Sequence, residues 1–292
     1  PSVSDIRTSD RFGRIAARVY GVLPEPMQWQ VSARRLAAWA RALPTGQFVT
    51  LQGAAKSFSG HSSREWHVVA GGWSSLLSAA NIPLSGVTIS TMNLAAVHNL
   101  QYDLYTVEAC GSVRSTVTRE LAEEARRCAR SSTYVLFKDA WHPRNSPRCF
   151  RDMYGRHSAV LWGLRAKLAP SPEEYANLLL QAALGKGIKV VPFNSSLFHV
   201  MVAIAAGAQT IVLHGVDFIG PPSNSPRANH FTIRGTQMDV IRQSRAHTEY
   251  QIRGGLNLPD VVRALADGAR QQGIEILAAD WRSPSASILG VR

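Results

Sequence analysis

The feature that most constrains this chain is an alternation of short β-prone runs with helix-period segments, with glycine or a helix-capping residue at the junctions. Strands read at Trp66–Ala70, Val87–Ser90, Tyr102–Val107, Tyr134–Phe137, Ile188–Val191, Thr210–Leu213 and Ile274–Ala278. Helices read from Ser74, over Ser115–Arg130, from Ser171, over Ser195–Ala206 and over Pro259–Gln272. Ser171-Pro172-Glu173-Glu174 carries an N-cap serine, a proline at the first helical position and the glutamate of a capping box. Gly207 stands where a helix C-terminus needs a left-handed residue. Strands alternating with helices predict an α/β chain of Rossmann-like type, with a mainly parallel sheet covered by helices on both faces. Ligands in such folds bind beyond the carboxyl ends of the strands, so those ends are where chemistry is sought.

The region before this alternation reads differently. The first 25 residues form an arm. Met27–Leu43 has the apolar spacing of an amphipathic helix, Phe48–Leu51 is a strand, and residues 53–64 are a polar loop. Residues 1–62 are expected to pack on a Rossmann-like domain, 63–292, the two forming one compact unit. Residues 142–157 read as an irregular, Arg- and Pro-rich loop that can serve as a lid or an acceptor surface, and residues 221–234 read as a mobile loop.

No apolar run approaches the ~18 residues a membrane span needs, and Pro1–Asp5 is too polar for a signal peptide. The three cysteines, Cys110, Cys128 and Cys149, have neither framework nor zinc spacing, and the expected setting is cytoplasmic. Lys and Arg number 32 against 20 Asp and Glu, a formal charge of +12. That excess favours anionic partners. No nucleic-acid motif accompanies it, so peripheral contact with an anionic inner-membrane surface is preferred to nucleic acid. A P-loop, GxGxxG, HExxH and GxSxG are all absent. So is Asp-x-Asp, the pair that holds a divalent metal on a sugar-nucleotide pyrophosphate. No metal is therefore expected.

Four strand ends and one helix start remain. Val69-Ala70-Gly71-Gly72-Trp73-Ser74-Ser75 runs from strand into two glycines and then hydroxyls at a helix start, a pattern that can cradle phosphate or simply turn tightly. Asn93 follows one strand and Glu108 another, each at the ligand-binding edge. Asn194-Ser195-Ser196 caps a helix apolar nearly all round, and its N-terminus is a second anion site. The strand after it ends in His214-Gly215-Val216-Asp217-Phe218, which puts a carboxylate at the same edge. His247, with His230 in reserve, follows and suits proton transfer.

Together these residues resemble the bacterial CMP-sialic acid transferases and the related CMP-Kdo transferases. Ala70-Gly71-Gly72-Trp73-Ser74-Ser75 stands in the place of that family's AGNGPS-like turn, and His214-Gly215-Val216-Asp217-Phe218 in the place of its SGIDF segment. The order holds over roughly residues 66–280. The resemblance implies a sialyltransferase-like glycosyltransferase fold and a CMP-sugar donor. It places Gly71, Gly72, Ser74, Ser75, Asn93, Ser195 and Ser196 along the CMP site, and a catalytic histidine at His247. It implies transfer of Kdo or sialic acid to a glycan or glycolipid acceptor of the bacterial surface. Gly72 and Trp73 depart from the family's Asn and Gly. Asp217 with Glu108 would suit a carboxylate-assisted route, and a histidine base would suit inversion; the residues do not choose. Two rivals stay open: an ATP-dependent pterin pyrophosphokinase-like enzyme, similar in the GxDF region, and a basic nucleic-acid-binding protein.

Overall fold

The computed structural model describes residues 23, 25–43, 48–59, 64–72, 74–92, 100–107, 132–138, 140, 147, 158–161, 164–165, 169, 171–186, 190–192, 194–217, 251–252 and 256–292. In chain order the elements are α1 (Glu25–Ala42), β1 (Phe48–Val49), α2 (Leu51–Ser59), β2 (Glu65–Val69) and α3 (Ser75–Ser78). Then come β3 (Thr88–Met92), β4 (Leu104–Val107), β5 (Tyr134–Phe137), β6 (Ser158–Leu161), β7 (Leu164–Arg165), α4 (Pro172–Ala183) and β8 (Val190–Val191). The chain finishes with α5 (Ser195–Ala205), β9 (Thr210–His214), β10 (Gln251–Ile252), β11 (Leu256–Asn257), α6 (Leu258–Arg270) and β12 (Glu275–Ala278).

Eight strands form one sheet in the order β1-β6-β5-β4-β3-β2-β9-β12. Each neighbouring pair in it is parallel. The expected α/β architecture with a mainly parallel sheet is therefore what the chain forms. From β2 the chain steps outward through β3, β4, β5 and β6, whereas β9 and β12 lie on the other side of β2. The direction of winding reverses between β2 and β9, and the carboxyl ends of those two strands open the crevice in which doubly wound sheets hold ligands.

Both faces are covered. On one, α2, α4, α5 and α6 bury a large apolar cluster that includes Trp66, Val68, Ile211, Leu213, Phe198 and Met201. On the other, Leu36 and Trp39 of α1 and Ala79 and Ile82 pack on Val69, Ile89, Tyr105, Val135 and Phe137. Alternate residues of β2 thus serve opposite layers, as a period of two requires. The helix read at Ser171 starts as its sequence says: Ser171 Oγ accepts from the Glu174 N–H at 3.2 Å. Gly207 takes φ +86° after α5.

Residues 53–59 correct the reading of a polar loop, and Leu51 that of a strand expected to run to it, because Leu51–Ser59 form α2 and β1 ends at Val49. Thr50 Oγ1 accepts from the Gly53 N–H at 3.0 Å, and Leu51, Ala54 and Ala55 are buried. Strand β8, shorter than the strand expected over 188–191, pairs with β7 in a separate two-stranded sheet. The helix expected over 115–130 and the loops 142–157 and 221–234 lie outside the described residues, apart from Pro147.

Candidate functional site

Two turns meet at the switch point. The turn after β2 carries Gly71, Gly72, Ser74 and Ser75; the turn after β9 carries Gly215, Val216 and Asp217. Their backbones are stitched together. Ala70 N–H donates to His214 O at 2.8 Å, and Gly72 N–H to Gly215 O at 2.9 Å. Gly215 has φ +66°. A Cβ there would sit 2.6 Å from Ala70 O and 2.7 Å from Ser75 Cβ. A Cβ on Gly72 would sit 2.2 Å from Gly215 O and 2.5 Å from Asp217 Oδ2. Neither position has room for a side chain, so glycine at both lets the turns close on each other.

Asp217 is what the closure positions. Its Oδ2 accepts from the Ser74 N–H at 2.8 Å, and its Oδ1 from the Ser74 hydroxyl at 2.5 Å. Ser283, just after β12, adds a hydroxyl 3.5 Å from Oδ1 and 3.2 Å from Ser74 Oγ. Ser285 Oγ stands 2.7 Å behind it. A row of three hydroxyls from two distant parts of the chain therefore fixes one carboxylate. The amide of Ser74, which the sequence offered to phosphate, is engaged by Asp217. The Ser75 N–H and hydroxyl both donate to Gly72 O, at 3.2 and 2.6 Å.

The helix start read as a second anion site is built differently. Asn194 caps α5, its Oδ1 accepting from Ser196 and Leu197 N–H at 2.8 and 3.1 Å. Ser196 Oγ reaches Met92 Sδ at the end of β3, 3.8 Å away. Ser195 is 8% exposed, and its hydroxyl finds no partner among the described residues. A buried hydroxyl forgoes about 1–3 kcal/mol without a partner, so Ser195 Oγ is a candidate contact for a polar ligand atom on this edge. Deeper in α5, His199 Nε2 lies 2.6 Å from Thr106 Oγ1. Burial, and secondarily the charge of buried Lys138, holds His199 down to about 3, so it is neutral. That neutral ring packs the helix start onto β4.

A further buried row runs beneath the Ser74 turn. Glu65 Oε1 lies 2.7 Å from His67 Nε2, His67 Nδ1 2.9 Å from His214 Nε2, and His214 Nδ1 2.8 Å from Ser78 Oγ. Burial lowers the pKa of His67, and its hydrogen bond to Glu65 opposes that shift. Arg292 closes the outer end with an ion pair to Glu65.

Of the residues singled out in the sequence, Gly71, Gly72, Ser74, Ser75 and Asp217 come together at the switch point. Ser195 and Ser196 stand at the neighbouring helix start. Asn93, Glu108, His230 and His247 lie outside the described residues. Ser283 and Ser285 were not anticipated. Their only signal was a Ser-Pro-Ser-Ala-Ser run after the last strand, which reads as an ordinary turn.

No family profile matches the chain, and no curated protein does. Among solved structures, the chain is similar to the monofunctional α-2,3-sialyltransferase Cst-I from Campylobacter jejuni, with 14% identity and TM-score 0.47 over 78% of this chain and 80% of that one. It is also similar to the sialyltransferase CstII from Campylobacter jejuni in complex with cytidine-5'-monophosphate, at 12% identity and TM-score 0.44, covering 79% and 86%. A complex of CstII with CMP-3FNeuAc gives 12% identity and TM-score 0.43, covering 78% and 85%.

Proposed function

We propose that this chain is a glycosyltransferase that moves a 2-keto-3-deoxy acidic sugar, Kdo or sialic acid, from a CMP-activated donor to a bacterial surface-glycan acceptor without a metal. The observation that carries the reading is the arrangement at the switch point: a carboxylate fixed on both oxygens, one helix start away from a buried, open hydroxyl. Cleaving the donor's bond to CMP leaves positive charge on the anomeric carbon and negative charge on phosphate. A carboxylate held rigidly before the reaction stabilises the first without reorganising. Asp217 suits that task better than proton transfer, because Ser74 already occupies both its oxygens. The α5 start, with Ser195 and the positive end of the helix, supports the anionic groups of the donor. His247 is assigned the acceptor's proton and Glu108 a contact to the sugar. Asn93 is assigned to the cytidine. The Gly71–Ser75 turn shapes the floor of the donor site.

The test is thermal stability with CMP, CTP, UMP, GMP, AMP and ATP, with and without magnesium. A ligand that binds only the folded state raises the melting temperature by mass action, about 2.7 kcal/mol at a hundred times its Kd. A rise selective for CMP and indifferent to magnesium is the expected result. A magnesium-dependent rise with ATP alone would end this reading.

A further inference from the structure

The corner after β12 presents a tryptophan to solvent. Trp281 is 75% exposed, although a buried tryptophan contributes more apolar area than any other residue type. Its neighbours are all fastened. Ala279 N–H donates to Leu213 O at 3.0 Å, and Ser283 N–H to Asp280 O at 2.9 Å. Asp280 takes the Arg282 guanidinium as a fork, with Nε at 2.9 Å and Nη2 at 2.7 Å, and accepts from its backbone N–H at 2.8 Å. Arg282 lies 5.9 Å from the indole centroid. Two residues on, Ser283 touches Asp217.

A surface tryptophan on a mobile loop needs no explanation. One whose flanking residues are each hydrogen-bonded is preorganised, and binding to it costs little further ordering. We infer that Trp281, with Arg282 over one face of its indole, offers the other face as the stacking platform for a sugar ring of the acceptor; the inference rests on the transferase reading above. A pyranose has an apolar C–H face that lies on an indole and hydroxyl edges that meet a guanidinium. The Asp280–Arg282 pair is neutral as a unit, so the platform selects ring shape rather than acidity.

Position separates this surface from the donor's. Ser196 reaches Met92 at the end of β3, so the donor groups lie toward β3, whereas Trp281 follows β12. Asp217 lies between them, after β9. From β3 to β12 is three strand spacings, about 14 Å, room for a donor sugar and an acceptor ring on either side of the carboxylate.

The experiment uses protein labelled with 5-fluorotryptophan, the Trp281 resonance being assigned by its loss in W281F. Lactose, N-acetyllactosamine, maltotriose and chitotriose are titrated in, with glycerol as control and CMP as a separate arm. The expected result is a saturable shift of the Trp281 resonance with an oligosaccharide, but not with glycerol or CMP. Saturation-transfer signals from that sugar should weaken about tenfold in affinity in W281A, the loss of roughly one aromatic contact. W281A should melt with wild type, since the side chain is exposed. Silence of the resonance toward the whole panel overturns the inference, and so does a shift with CMP, which would give the indole to the nucleotide. If CMP binds nowhere on the protein, the donor reading fails by itself, while a sugar-induced shift still supports the platform.

Discussion

Replacing Gly72 by alanine isolates the closure of the two turns. Gly72 has an ordinary φ, so the substitution adds no backbone strain and acts only through the methyl group. That methyl would lie 2.2 Å from Gly215 O and 2.5 Å from Asp217 Oδ2, more than 1 Å inside ordinary contact. The nearer obstacle is backbone of a neighbouring strand end, so the turns must separate. Separation removes the Gly72–Gly215 hydrogen bond and weakens both Ser74 bonds to Asp217. Overpacking costs about 1–3 kcal/mol, and hydrogen bonds to a charged group are each worth about 1.5–3 kcal/mol. Allowing for their non-additivity, the loss should be about 3–4 kcal/mol, or roughly 6 °C in Tm for a chain of this size. Gly207→Ala is the control. It has φ +86° with nothing within 4 Å, so its cost is the left-handed backbone alone, about 1–2 kcal/mol. Urea melts of both variants, with and without CMP, measure the difference. If G72A stays within about 1 kcal/mol of wild type, or costs less than G207A, the turns are not locked as described.

Buried histidines set the pH response. His199 is held to about 3 by burial against about 6.5 in the unfolded chain, and His67 is shifted in the same direction. Below pH 6.5 the unfolded state therefore takes up protons that the folded state refuses, and stability falls as pH falls, for His199 by about 2 kcal/mol between pH 7 and 5. Denaturant melts at the two pH values should show this, and His199→Met should flatten the slope; an unchanged slope in the variant would refute the assignment. Asn194→Ala removes the cap of α5 and should cost about 1 kcal/mol, read from thermal melts, with weaker CMP binding if the helix start serves the donor. Asp217→Asn keeps one acceptor for Ser74 and should fold within about 2 kcal/mol of wild type while losing most transfer activity; turnover near the wild-type level would remove Asp217 from the chemistry.

The sequence made the strand ends legible because their signals are local. Gly71-Gly72 after one β-prone run and Gly215–Asp217 after another could each be seen as a ligand-edge turn. Asn194 announced a helix start by its side chain alone. What could not be read was that these pieces satisfy one another. Ser74 and Asp217 are 143 residues apart, and no periodicity says that the carboxylate will take the amide reserved for phosphate. Ser283 contributes only through tertiary approach, 66 residues beyond Asp217. Helix α2 was misread for the opposite reason: Gly53, Ser57 and Ser59 look like loop composition, and the Thr50 cap and the apolar positions 51, 54 and 55 outweigh them once packed. The strand expected over 188–191 exists in part, but pairing decided that it would leave the main sheet.

The row from Glu65 to Ser78 has a polarity. A carboxylate accepts, and the 2.7 Å contact of Glu65 Oε1 to His67 Nε2 is much shorter than the 3.4 Å approach of Arg292 to the same atom, so Nε2 is the donor to Glu65. Neutral His67 then offers Nδ1 as an acceptor, His214 must donate from Nε2, and the Ser78 hydroxyl must point at His214 Nδ1. A proton taken up at Ser78 reverses these links as Ser78 passes its own proton to His214 Nδ1 and His214 passes its Nε2 proton to His67 Nδ1; His214 then accepts from His67 and donates to Ser78, whose hydroxyl can turn toward Ser74 O, 3.4 Å away. The row is thus a hydrogen-bonded chain that can run in two directions, its outer end at Glu65 and Arg292 and its inner end at the carbonyl of the residue that grips Asp217.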